Sequence, residues 1–175
     1  GRALERALRP ERFIVGVRDS DEPVDDALRE YLGRFDCPVL PMRYESAELA
    51  KIAINAMLVA SISAANTLAE LCESIGADWS EITPSLRLDA RIGASSYIEP
   101  GLGLAGGNLE RDLATIIGLA DQNGTDAGVV RSWVANSRHR RQWAAEQLRG
   151  CLDVLHEPHV GVWGLAYKQN THSIK

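Results

Sequence analysis

Hydrophobic positions change their spacing several times along this chain, and each change predicts an element. Arg12-Phe13-Ile14-Val15-Gly16-Val17 is a short apolar run behind Pro10 and predicts a strand. Val24, Leu28 and Leu32 recur at helical spacing within Pro23 to Phe35. Cys37 to Pro41 reads as a short extended piece. From Glu45 to Ile75 the chain has neither Gly nor Pro, which predicts one long helix closed by Gly76 as a left-handed cap. Such a helix is roughly 45 Å long. Its middle is apolar nearly all round, so burial is expected. Trp79 to Ser85 predicts a short helix, and Leu86 to Gly107 an irregular, Gly-rich segment. Asn108 is the expected cap of a helix running to about Asn123, and a further helix is expected from about Ala127 to Leu152. His159 to Ala166 predicts a closing strand. Trp79, Trp133, Trp143 and Trp163 read as packing residues and Cys72 as a core thiol. Two strands thus flank a helical middle, and a lone strand leaves its backbone edges unpaired. Both ends look cut, and the expectation is a piece of a longer chain.

Composition narrows the class. The 175 residues are 45% hydrophobic and 25% charged, with a net charge of -5, the profile of a soluble globular protein. Net acidity argues against a nucleic-acid partner, which needs a basic face. The longest apolar run, Ile52 to Ala65, is broken by Asn55, Ser61 and Ser63, and falls short of the ~20 residues of a membrane span. No membrane partner and no signal peptide are therefore predicted. Cys37, Cys72 and Cys151 form neither a metal motif nor a disulfide framework, and the four histidines have no ligand spacing. A reducing, cytoplasmic location without metal is expected.

Candidate chemistry falls in three places. Lys51 and Asn55 are four apart on the long helix, and Asn66 returns to nearly the same side eleven residues later. Unpartnered burial of such groups costs a few kcal/mol each. They are either a snorkelling lysine with satisfied core amides, or a polar active-site stripe in which a desolvated lysine exchanges protons with a hydroxyl. Gly101, Gly103 and Gly106 match G-x-G-x-x-G, but Ser95 to Pro100 is a poor strand. A flexible loop wrapping a ligand fits better than a dinucleotide fingerprint. Asp112 follows Asn108 by one turn, so the two side chains can meet at the helix start, as a cap and a first-turn acid or as a site. Arg138-His139-Arg140-Arg141 reads as a solvated face or an ion-pair site.

Together these segments resemble the UDP-glucose/GDP-mannose dehydrogenase family. The likeness lies in Gly1 to Gly16, in Glu45-Ser46-Ala47-Glu48-Leu49-Ala50-Lys51 with Asn55 and Asn66, in Asp89-Ala90-Arg91-Ile92-Gly93, in Pro100 to Asp112, and in Gly164 to Thr171. It implies a mainly α chain: a helical central dimerisation domain, similar to the C-terminal domain of 6-phosphogluconate dehydrogenase, flanked by partial α/β, Rossmann-like segments. Residues 1–43 would end an NAD-binding domain, 44–152 would form the central domain, and 153–175 would begin a nucleotide-binding domain. The implied activity is NAD-dependent oxidation of the sugar C6 alcohol of a UDP- or GDP-sugar to a carboxylate, in a homodimer joined through the central helices. By position, Lys51, Asn55 and Asp112 match catalytic residues. Arg91 matches an arginine reaching the partner subunit's substrate. Tyr97 to Gly103, including Gly101, match sugar-contacting backbone, and Lys168 matches a substrate lysine.

The family's carboxylate from the first domain, and most of its NAD site, fall outside the sequence. The departures from the pattern are chemical. Asn108 stands where the family has its catalytic cysteine, whose thiohemiacetal is oxidised to a thioester and hydrolysed. Glu110-Arg111 replace Pro-Lys, Ala105 replaces Gly, and His172-Ser173 replace an Asp-Asp-like pair. Lys51 and Asn55 are also similar to the pair in β-hydroxyacid dehydrogenases, which perform a single oxidation without a cysteine. A full-length enzyme that stops after one oxidation, and a catalytically inactive paralogue that serves as a dimerisation partner, are both expected alternatives.

Overall fold

A computed structural model describes residues 3–19, 21, 23–105, 107–153 and 156–164. The chain divides into two units, Gly1–Ile54 and Asn55–Lys175. The first holds α1 (Ala3–Leu8), β1 (Phe13–Val17), α2 (Asp26–Gly33), β2 (Val39–Arg43) and the start of α3 (Tyr44–Ile75). β1 and β2 pair in parallel, with Phe13 opposite Val39 and Val17 opposite Arg43. The extended piece after Cys37 is therefore the partner of the first strand. A parallel pair needs a crossover, and α2 supplies it. Asp25 caps α2 by accepting from the backbone N–H groups of Ala27 and Leu28 at 3.0 and 3.1 Å. Phe35 packs edge-on against Phe13 and Tyr31.

The second unit is helical. The rest of α3 is followed by α4 (Trp79–Leu88), α5 (Gly107–Asn123), α6 (Gly128–Arg140) and α7 (Trp143–Leu152). α3 is 32 residues long, about 48 Å at 1.5 Å per residue. It ends where Gly76 takes φ +77, and the Ala77 N–H returns to the Cys72 carbonyl at 3.0 Å. That six-to-one bond is a Schellman cap. Val59 of α3, Leu104 of the following loop, Leu113 of α5 and Val130 of α6 make the core, with Ile62, Ile116 and Trp133 packed around them. Cys72 is buried, as its apolar setting predicts.

Several expectations are corrected. The middle of α3 is buried on one side only: Met57, Leu68, Leu71 and Ile75 are 68, 44, 50 and 68% exposed. Helices α5 and α6 cover the side carrying Val59, and among the described residues the opposite side is left exposed. Among the described residues α3 is also long and apolar enough to cross a membrane by length and composition, with a mean hydropathy of 1.6 over 18 residues. The serines do not interrupt it as the linear reading assumes, because a helical hydroxyl bonds its own preceding turn, as Ser61 does to the Met57 carbonyl at 3.2 Å. The helix expected from Ala127 to Leu152 breaks at Arg141 and Gln142, where the Gln142 N–H takes the His139 carbonyl, three residues back. Residues 159–164 form no strand, since no described strand pairs with them; Leu165 and Ala166 lie outside the described residues. Trp163 is fully exposed, not packed.

Candidate functional site

Asn55 and Asp112 meet across α3 and α5. The Asn55 Nδ2 donates to Asp112 Oδ2 at 2.6 Å. Asp112 is only 5% exposed, beside the core residue Leu113, and the Arg111 guanidinium lies 3.1 Å from its other oxygen. A buried carboxylate needs such donors, because an uncompensated charge costs several kcal/mol in a dry environment. The expected cap at Asn108 is corrected: α5 begins at Gly107, so Asn108 is its second residue and is exposed. The expected meeting of Asp112 with Asn108 at the helix start gives way to the bond from Asn55.

The second amide of the stripe is also satisfied, by a different partner. Asn66 is 1% exposed, and its Oδ1 accepts the Gly101 N–H at 2.7 Å. The Gly101 carbonyl accepts from Arg140 Nε at 3.0 Å. Three residues on, the Leu104 N–H donates to Ser137 Oγ at 2.8 Å and its carbonyl accepts from Arg141 Nη2 at 3.1 Å. Gly103 lies between them at φ +89 and packs against the Ser137 carbonyl. Gly101 and Gly103 thus belong to a loop pinned by side chains, with no strand before it, and a dinucleotide pyrophosphate does not fit there; Gly106 lies outside the described residues. The turn after β1 offers no alternative: Arg18 to Asp25 has no glycine and carries Asp19, Asp21, Glu22 and Asp25. An NAD site is therefore not formed by these residues.

The other sequence candidates are exposed or lie outside the described residues. Lys51 is in α3 within the first unit and is exposed. Arg91 is exposed and folds back on Asp89, with Nε and Nη2 at 3.0 and 2.7 Å from its two oxygens. These bonds hold the Asp89 carboxyl below, and the Arg91 guanidinium above, their ordinary pKa values. Tyr97 is 57% exposed. Lys168 lies outside the described residues.

The basic run at the end of α6 is an ion-pair site, and together with Ser137 it supplies the residues that sequence reasoning missed. Ser137, Arg140 and Arg141 hold the glycine loop. The available signal is that Arg140 follows Trp133 and Ser137 at helical spacing, on the apolar side of its helix. Arg141 also pairs with Glu110, one of the two residues that depart from the family's Pro-Lys. A cleft of about 540 Å³ lies on this side of α5, lined by Leu104, Glu110, Ile117, Val134, Arg138 and Arg141. Asp112 points to the other side of α5 and does not line it.

His139 Nε2 lies 2.7 Å from Glu70 Oε1, and this hydrogen bond raises the imidazole above its ordinary 6.5. A group with a raised folded-state pKa stabilises fully below the unfolded value, and that contribution is lost as pH rises through the folded value. The melting temperature of the native protein should therefore fall slightly as pH is raised from 6.5. The variant His139→Gln should lose that step in a pH series of thermal melts.

The second unit is thus a helical domain in which Asn55 and Asp112 are bonded across α3 and α5. The model of the UDP-glucose/GDP-mannose dehydrogenase family central domain matches residues 45–138, more than half of the chain, and the chain belongs to this family. It is 27% identical over 175 residues to UDP-glucose 6-dehydrogenase TuaD of Bacillus subtilis, covering 100% of this chain and 37% of that protein. It is 32% identical over 178 residues to UDP-glucose 6-dehydrogenase AglM of Haloferax volcanii, covering 41% of it. A solved UDP-glucose dehydrogenase from Pyrobaculum islandicum matches 94% of this chain and 38% of its own, with a TM-score of 0.80 at 30% identity. The chain thus spans about two-fifths of the length of these relatives.

Proposed function

We propose that this chain is the central part of a nucleotide-sugar dehydrogenase that oxidises the sugar C6 alcohol to the aldehyde and lacks the ordinary second oxidation. In this reading residues 1–43 end the NAD-binding domain, 44–152 form the central domain and 153–175 begin the third. NAD would be held by the remainder of the protein, and no metal takes part. The carrying observation is the bond from half-buried Asn55 to buried Asp112, with an exposed Asn108 in the first turn of the same helix as Asp112. Asn55 and Asp112 offer a donor and a carboxylate that can orient a sugar hydroxyl or a water. Lys51 is the proposed acceptor of the hydroxyl proton. Asn108 has no nucleophile to offer an aldehyde, since the lone pair of its amide nitrogen is delocalised.

The test is the yield of NADH per nucleotide sugar by the full-length protein. One NADH with an aldehyde product is expected. Two NADH with acid would refute the single-step reading. The same Asn108 favours an inactive paralogue as the second reading, and no NADH with UDP- or GDP-sugars would select it.

The proposed partner is a second copy, met through α3. Met57, Ser61, Ala64, Leu68, Leu71 and Ile75 recur at alternating spacings of four and three, the seam of a coiled coil, and most of them are exposed. Small residues at Ser61 and Ala64 permit close approach. Leu68→Glu should convert a dimer into a monomer in light scattering. An unchanged mass would remove α3 as the interface.

A further inference from the structure

We propose that Arg140 is a positioning residue for the sugar-facing loop, setting the conformation in which Gly101 to Leu104 are presented. The inference rests on the nucleotide-sugar reading above. The loop has no ladder of its own, so its conformation depends on what grips its peptide groups. The Gly101 peptide groups are held from two helices: Asn66 of α3 takes the N–H and Arg140 of α6 takes the carbonyl. Glycine at 101 leaves the backbone bare for a ligand, since nothing lies within 4 Å of where a Cβ would stand.

Arg140 is placed to aim rather than to stabilise. It is 4% exposed, yet its ion pairs to Glu70 and Glu73 are long, at 3.8 and 3.7 Å. Its Nη1 is buried and makes no hydrogen bond among the described residues. A buried guanidinium with such loose pairing recovers little of its desolvation cost, and an apolar residue of similar volume is often as stable. What an apolar residue cannot reproduce is the directed bond from Nε to the Gly101 carbonyl. Trp143 fixes the direction, with its ring 4.7 Å from the guanidinium carbon. Its indole N–H is in turn tied to Glu73 at 2.7 Å.

The experiment compares wild type, Arg140→Met and Arg140→Lys in the full-length protein, with Arg131→Met as a charge-loss control in an exposed pair. Arg140→Met should raise KM for the nucleotide sugar at least tenfold while kcat changes less than threefold. Lysine, lacking the fork, should not restore KM, and the control should leave it unchanged. Hydrogen exchange of the Gly101 and Leu104 amides should quicken at least tenfold in Arg140→Met, with the amides of mid-α5 unaffected. An unchanged KM or unchanged exchange overturns the proposal. Where no turnover occurs, the Kd for UDP-glucose and GDP-mannose by calorimetry replaces KM. Absence of any binding by wild type defeats the nucleotide-sugar reading, and with it the substrate half of this proposal. The exchange result then still decides whether Arg140 orders the loop.

Discussion

Valine at Gly103 is expected to destabilise the fold by about 3 kcal/mol or more, and to lower the melting temperature by roughly 10 °C. Two independent costs meet at this residue. Its φ of +89 lies in the left-handed region, where a β-branched side chain is strained. A Cβ would also stand 2.6 Å from the Ser137 carbonyl oxygen and 3.2 Å from Arg141 Cγ. The carbonyl is helix backbone and cannot swing aside. The displaced loop would then lose the Leu104 bonds to Ser137 and Arg141. Gly118→Ala is the matched comparison: nothing lies within 4 Å of its Cβ position in α5, and alanine should stabilise that helix by about 0.5–1 kcal/mol. Urea unfolding of the three proteins checks both signs. A Gly103→Val midpoint equal to wild type would remove the close approach as a feature of the fold.

Asn108→Cys in the full-length protein is expected to raise acid product at least tenfold and to move the yield from one NADH per sugar toward two. Position 108 is suited to a thiolate on physical grounds. It lies in the first turn of α5, where backbone N–H groups are unpaired and the helix dipole favours negative charge. Arg111 is three residues further along the same helix, so its charge adds to the effect. The residue is exposed, so a reacting carbon can reach it. The new thiol should also alkylate with iodoacetamide faster at pH 7 than a free cysteine thiol does. Fast alkylation without acid product would show that the loop changes at Ala105, Glu110 and Arg111, and not the missing sulfur alone, prevent the second oxidation.

Legibility in the sequence followed the range of the physical cause. The 45–75 helix and its Gly76 stop depend on residues a turn apart, and they appear as read. The strand at 13–17 and the helix at 26–33 were equally local signals. The parallel partner of β1 was not legible, because pairing joins residues 26 positions apart, as Phe13 to Val39. The break at Arg141 was invisible for a related reason: the residues flanking it have ordinary helix propensities. The start of α5 slipped by two residues, from Leu109 to Gly107, which was enough to turn Asn108 from a cap into a side chain on the helix surface. For the site, the stripe Asn55–Asn66 was legible from helical spacing alone. Its partners were not, since Asp112, Gly101 and Arg140 come from other elements.

By itself the sequence determined the helical class, the family likeness and the amide at position 108. These depend on residue identity and on periods of three and four. Only the tertiary structure decided which polar groups the two amides of α3 bond, that Arg140 is an interior charge and not a solvated one, and which side of α3 is left uncovered. Those outcomes depend on how α3, α5 and α6 approach one another. A buried amide or guanidinium takes whichever partner that packing brings within hydrogen-bond reach.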